Sequence, residues 1–153
     1  MRKLPLLCLL LTLWSQSALA QTERELLQAL RQSTEGKQRI KAGCTDRIRP
    51  ISEWRLADLD QDGTAEVVAP WSTEGCGGGN YWGASVGVFK QSGGRWQEID
   101  SAGIEGQPES IEVRGNQIRV RTKSYGPNDP RCCPSQMATV RLALSNGKLR
   151  ESR

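Results

Sequence analysis

The sequence predicts a mainly β (α+β) fold, an antiparallel β-meander that forms a curled sheet or small sandwich with one N-terminal amphipathic helix. Apolar and polar residues alternate through most of residues 51–149, which is typical of strands with one buried face. Short turn sequences such as QSGG, GN and SNGK separate these stretches, so strands that follow one another are expected to pair antiparallel. Before residue 36 the apolar period is instead that of a helix.

The helix is predicted within residues 21–43, which form the N-terminal helix and a linker. Thr22 and Glu25 have the spacing of a capping box, and Gly36 is expected to end the helix. Three leucines lie on one face, namely Leu26, Leu27 and Leu30. The helix is therefore expected to pack on the sheet and to belong to the same domain.

The strands are predicted from the period of two and the turn residues between them. Their predicted ranges are 51–57, 65–71, 84–90, 95–100, 110–114, 117–125 and 136–144, with a short last strand near Leu149. Together they form the predicted β domain, residues 44–153.

Residues 1–20 have the pattern of a signal peptide. Arg2 and Lys3 precede an apolar run, and small residues end the segment at Ala18 and Ala20. The apolar run, residues 4–14, is shorter than the roughly 20 residues that a membrane-spanning helix needs. Cleavage after Ala20 would release a periplasmic or secreted protein without a membrane span.

The charge and the missing histidine exclude several functions. Without the predicted signal peptide the net charge falls from +4 to +2, which is too small to argue for nucleic acid as a partner. The sequence contains no histidine, which excludes Ser-His-Asp and Cys-His catalysis and imidazole-ligated zinc.

Four cysteines remain after the predicted cleavage: Cys44, Cys76, Cys132 and Cys133. An even number in a short exported chain indicates two disulfides. A bond between the adjacent Cys132 and Cys133 would form a strained ring, so each is expected to bond to a different partner, one to Cys44 and one to Cys76. A redox or zinc-thiolate site is the alternative.

The segment ADLDQDGTAEVV, residues 57–68, is the clearest functional motif. Three aspartates alternate along it and run into a glycine and a glutamate, a pattern that supplies the several oxygen ligands calcium prefers. The position that would hold an acid in an EF-hand is Ala69, and the flanking segments are predicted strands rather than helices. The alternative is a solvated polar turn with no ion.

With strands on both sides and the acid at its ninth position, this motif resembles the calcium loop of FG-GAP repeats, the modules of integrin-alpha-like propellers. The resemblance is local and covers residues 55–69. It implies calcium bound by Asp58, Asp60, Asp62, Glu66 and the carbonyl group of Thr64. The motif occurs once, in a chain too short for a propeller.

Two further features suggest ligand contacts. The glycine-rich loop 72–85 ends in Tyr81 and Trp82, and the strand QIRVRTKSY places Arg119, Arg121 and Lys123 on one face. The alternatives are a core-covering aromatic pair and an ordinary solvated face. The run DPRCCPS looks like one in small exported bacterial proteins of unknown function.

The sequence favours a non-catalytic, calcium-stabilised binding module of the cell envelope, with a protein or a glycan as partner. The first alternative is a small metal-dependent hydrolase that uses Asp60 or Glu66 as its base. The second is a purely structural envelope protein.

Overall fold

The computed structural model describes residues 22–44, 48–50, 54–74, 82–130 and 133–152. The predicted signal peptide lies outside these residues. The described part is mainly β and its strands pair antiparallel, as predicted. No helix in it is long and apolar enough to cross a membrane.

The segment predicted as one helix contains two, α1 at residues 22–32 and α2 at Thr34–Lys41. Ser33 separates them, because its hydroxyl donates to the Leu30 carbonyl at 2.7 Å and accepts the Gly36 N–H at 2.9 Å. The expectation that Gly36 ends the helix is therefore wrong. Gly36 lies buried within α2, where a Cβ would collide with the carbonyl oxygen of Leu30.

The first sheet contains five strands: β1 (Ile48–Pro50), β2 (Arg55–Ala57), β3 (Glu66–Glu74), β4 (Trp82–Ser92) and β5 (Arg95–Ile104). Strand β3 is long enough to pair with both β1 and β2 on one side and with β4 on the other. It is therefore a central strand, with neighbours on both of its edges.

The second sheet is a simple meander of four strands in sequence order: β6 (Gln107–Arg114), β7 (Gln117–Ser124), β8 (Gln136–Ser145) and β9 (Lys148–Glu151). The turns GN and SNGK connect β6 to β7 and β8 to β9, as the sequence predicts. Gly115 and Gly147 take positive φ there, at 55° and 68°.

Two apolar clusters hold these elements together. One contains residues of both sheets, among them Val68 and Val86 of the first and Val120 and Leu142 of the second. The other lies between α1 and the first sheet and includes Trp71. Because β3 contributes to both clusters, it is buried on both faces, and the loop that precedes it is joined to the centre of the protein.

Candidate metal centre

The acidic loop, residues 58–65, joins β2 to β3 and is closed by the pairing of Ala57 with Glu66. Its own carboxylates fix the backbone of the turn. Asp58 accepts the N–H groups of Asp62 and Gly63, both at 3.0 Å, and Asp62 accepts that of Thr64 at 2.8 Å. Gly63 has a φ of 88°, a conformation that favours glycine.

Glu66 is a fully buried carboxylate at the base of the acidic loop. Its Oε2 accepts the backbone N–H of Leu59 at 2.9 Å, and the Leu59 side chain is buried in the cluster between the two sheets. The other oxygen, Oε1, has no hydrogen-bond partner among the described residues. A buried carboxylate oxygen without a donor is costly, so a cation beside it would stabilise the folded protein.

Three of the five predicted ligands converge. Asp58, Asp60 and Glu66 each offer an oxygen, and these oxygens lie within 4.8 Å of one another. The triad can therefore hold a metal ion. Asp62 is not part of the triad, and its carboxylate is engaged by the Thr64 N–H and by a lysine. The carbonyl group of Thr64 stays a prediction as a ligand.

That lysine is Lys90, which the sequence analysis missed. Its Nζ forms an ion pair and hydrogen bond with Asp62 Oδ2, and it lies 3.5 Å from Asp60 Oδ2 and 3.7 Å from Glu66 Oε1. Strand register brings it there, because Phe89 pairs with Val67 and the following residue of β4 comes beside Glu66. An ammonium group therefore supplies part of the positive charge that the carboxylates require.

The ion pair shifts the titration of both groups. The hydrogen bond from Lys90, followed by that from the Thr64 N–H, lowers the pKa of Asp62 below 3.8. The hydrogen bond to Asp62, followed by the charges of Asp60, Asp62 and Glu66, raises the pKa of Lys90 above 10.5. Both groups are therefore charged across the physiological pH range.

The structure also places the residues predicted to contact a ligand. Arg119 and Arg121 are exposed on β7, and Lys123 pairs with Glu109 at 3.3 Å. Trp82 begins β4, while Tyr81 lies outside the described residues. The glycine-rich loop therefore stays a prediction as a recognition surface.

Two of the four cysteines predicted to form disulfides lie among the described residues. Cys44 is buried and Cys133 is exposed, whereas Cys76 and Cys132 lie outside the described residues, so the predicted pairing stays a prediction. Near Cys133 a carboxylate fixes the chain: Asp129 accepts the N–H groups of Gly126 and Ser135, each at 2.7 Å. These bonds, with one from the Ser135 hydroxyl, lower the pKa of Asp129 below 3.8.

Comparisons with protein-family models, with curated proteins and with solved structures find no match for this chain. The likeness of the acidic loop to an FG-GAP calcium loop is therefore a prediction from its residues, and the geometry of the triad is the main guide to function.

Proposed function

We propose that this protein is an exported, non-catalytic binding module of the cell envelope whose acidic loop binds calcium. In this proposal the two sheets form a small sandwich with the helices over one outer face. The observation that carries the metal site is Oε1 of Glu66, which is fully buried and accepts no hydrogen bond among the described residues. Its nearest positive charge is the ammonium group of Lys90, 3.7 Å away, which occupies the place that an ion would take.

The ligand atoms favour calcium among common cations. The triad consists of carboxylate oxygens alone, which suit hard cations and not zinc or copper. Magnesium demands a nearly ideal octahedron, whereas calcium accepts irregular sets of six to eight oxygens that include carbonyl groups and water. A loop that offers three convergent carboxylates and open solvent on its outer side meets the calcium requirement more easily.

Calcium binding would require Lys90 to move. Its side chain is 32% exposed and lies at the rim of the cluster, so the ammonium group can turn into solvent while the ion takes its place. This exchange lowers the apparent affinity, because the ion pair with Asp62 is lost. Weak binding suffices outside the cytoplasm, where calcium sites commonly have dissociation constants of about 0.1–1 mM.

Two observations support export. The sequence of residues 1–20 has the order of charged, apolar and small residues of a signal peptide. In addition, the four cysteines that remain after the predicted cleavage are an even number, which would suit two disulfides in an oxidising compartment.

Glu66 suits a structural role better than a catalytic one. Its side chain has no exposed surface, and one of its oxygens already accepts the Leu59 N–H. A general base must reach a proton of the substrate, which a closed-off carboxylate cannot do without movement of the loop. We therefore favour the binding module over a hydrolase that uses Glu66 as its base.

Thermal unfolding in EDTA, calcium and magnesium tests the metal site. Calcium at millimolar concentration should raise the melting temperature more than magnesium does, and Asp60→Asn should remove most of the rise. Glu105→Gln, which changes an exposed carboxylate between β5 and β6, is the matched control and should keep it. The proposal is wrong if wild-type protein melts at the same temperature in calcium and in EDTA.

A further inference from the structure

The outer face of the second sheet carries a concentration of positive charge. Along β7, the exposed residues Arg119 and Arg121 alternate with the buried residues Ile118, Val120 and Thr122. Lys123 continues this row at the end of the strand. Since alternate residues of a strand lie about 7 Å apart, the row presents positive charges at that spacing.

Neighbouring strands extend the row sideways. Arg141 of β8 pairs with Arg119, and Glu112 of β6 pairs with Arg119 from the other side. A depression of about 190 Å³ opens here. Its lining consists of Glu112, Arg114, Gln117, Arg119 and Arg141. Three guanidinium groups therefore surround one hollow that also contains a single carboxylate. We call Arg114, Arg119, Arg121, Lys123 and Arg141 the basic face.

Two of the five basic side chains of this face have an acidic neighbour among the described residues, and in one of these pairs Lys123 lies 3.3 Å from Glu109. Glu112 lies 3.9 Å from Arg114, but the two side chains are 60% and 82% exposed, so the pair is weak. Within the part of the chain that the structure describes, Arg119, Arg121 and Arg141 form no ion pair. Their guanidinium groups remain accessible to an anion from outside, and a guanidinium group can bind a carboxylate or sulfate through two parallel hydrogen bonds.

We propose that the basic face binds an extended anionic polysaccharide, with one carboxylate or sulfate group in the hollow between Arg114, Arg119 and Arg141. Further acidic groups of the chain would lie over Arg121 and Lys123. The inference rests on the proposed function, because it names the chemistry of the ligand that the binding module would take.

The composition of the face favours a polysaccharide over other anionic partners. Protein interfaces usually bury an apolar or aromatic centre, whereas the described residues of this face contain one large exposed apolar side chain, that of Met137. Single-stranded nucleic acid is usually held by aromatic side chains that stack on its bases, and none lies among the described residues of β6–β9. This face would therefore recognise a ligand mainly through charge and hydrogen bonds.

Binding of full-length mature protein to immobilised probes tests the proposal. The probes are polygalacturonate for carboxylates, heparin for sulfates, neutral dextran, poly-glutamate and duplex DNA. Wild-type protein should bind one or both acidic polysaccharides at low salt and dissociate from them as the salt concentration is raised. It should show no binding to dextran. The double substitution Arg119→Ala and Arg141→Ala should weaken this binding about tenfold, since it removes two charge-assisted contacts.

The control removes the same charge elsewhere, by Arg31→Ala with Lys37→Ala on the exposed surface of the helices. It should bind the polysaccharides as the wild type does. The proposal is overturned if both double variants lose binding equally, if neither acidic polysaccharide binds, or if poly-glutamate or DNA binds more tightly than both. The calcium-dependent melting shift, measured on the same variants, should persist in the Arg119/Arg141 double variant. If wild-type protein shows no calcium-dependent melting shift, the metal site is rejected. The polysaccharide result does not depend on that outcome.

Discussion

Lys90 and Asp62 lie 28 residues apart in the chain, and their side chains form an ion pair at the mouth of the acidic loop. The lysine belongs to a regular strand and the aspartate to a turn, so the pair connects the acidic loop to the first sheet. In addition, the ammonium group lies close to two further carboxylates, those of Asp60 and Glu66. Lys90 is therefore positioned to compete with a metal ion for the same oxygens.

Replacing Lys90 with methionine should strengthen calcium binding. The change removes a positive charge from within 4 Å of three carboxylates, so we expect tighter binding by about an order of magnitude. Isothermal titration calorimetry with calcium measures the effect. Lys148→Met is the control, because that lysine pairs with Asp100 outside the loop. Equal calcium affinities of Lys90→Met and wild type would show that Lys90 does not compete with the ion.

Two substitutions of Glu66 should separate its structural role from its role as a ligand. Glu66→Gln keeps an oxygen for the Leu59 N–H, so the variant should fold and lose the calcium response. Glu66→Ala leaves that buried N–H without an acceptor, which should cost about 1–3 kcal/mol of unfolding free energy even without calcium. Chemical denaturation in EDTA and in calcium measures both effects. A Glu66→Gln variant that keeps the full calcium response would exclude Glu66 as a ligand.

Leu59 should act as a core residue although it lies in a loop. Its side chain is 1% exposed and packs between the sheets, so Leu59→Ala should cost about 2–4 kcal/mol. Leu56, three residues earlier, is 57% exposed. Leu56→Ala should therefore change the unfolding free energy by less than about 0.5 kcal/mol. Urea denaturation compares the two, and similar costs for both would contradict the burial of Leu59.

Asp129 should make stability depend on pH below about 4. Because the folded protein lowers the pKa of Asp129 below its ordinary value of 3.8, its stabilising contribution is present above that value. The contribution is lost as the pH falls through the lower, folded pKa. Asp129→Asn should therefore melt below wild type at pH 6, and the difference should shrink between pH 4 and pH 2. Melting curves at these pH values measure it, and a constant difference would contradict the assignment.

The strand pattern and the turns were predictable because they depend on neighbouring residues. Alternation of Ile118, Val120 and Thr122 with charged residues identified β7, and the turn sequences set the order of the second sheet. The predicted strand ends were less accurate where contacts between distant parts of the chain determine where a strand begins. Strand β6 begins at Gln107 and contains Pro108, which a strand at the edge of a sheet tolerates.

The acidic loop was predictable as a motif but not as a charged network. Asp58, Asp60 and Glu66 are close in sequence, so their convergence follows from a tight turn. Lys90 reaches them only through the register of β3 with β4, and the connection between these strands is too long for a turn to fix that register. The division of the helical segment at Ser33 had a local signal that was overlooked, since serine commonly begins a helix.

Leu59 connects the acidic loop to the protein interior, because it lies between Asp58 and Asp60 in the chain while its side chain is buried in the contact between the sheets. We expect a cation held by Asp58 and Asp60 to favour the position of Leu59 in the contact between the sheets. By thermodynamic linkage, a change that destabilises this contact would lower the affinity for the ion. Binding of the ion would stabilise the contact by the same free energy. Amide hydrogen exchange far from the loop, at Val120 for example, should therefore slow when calcium binds.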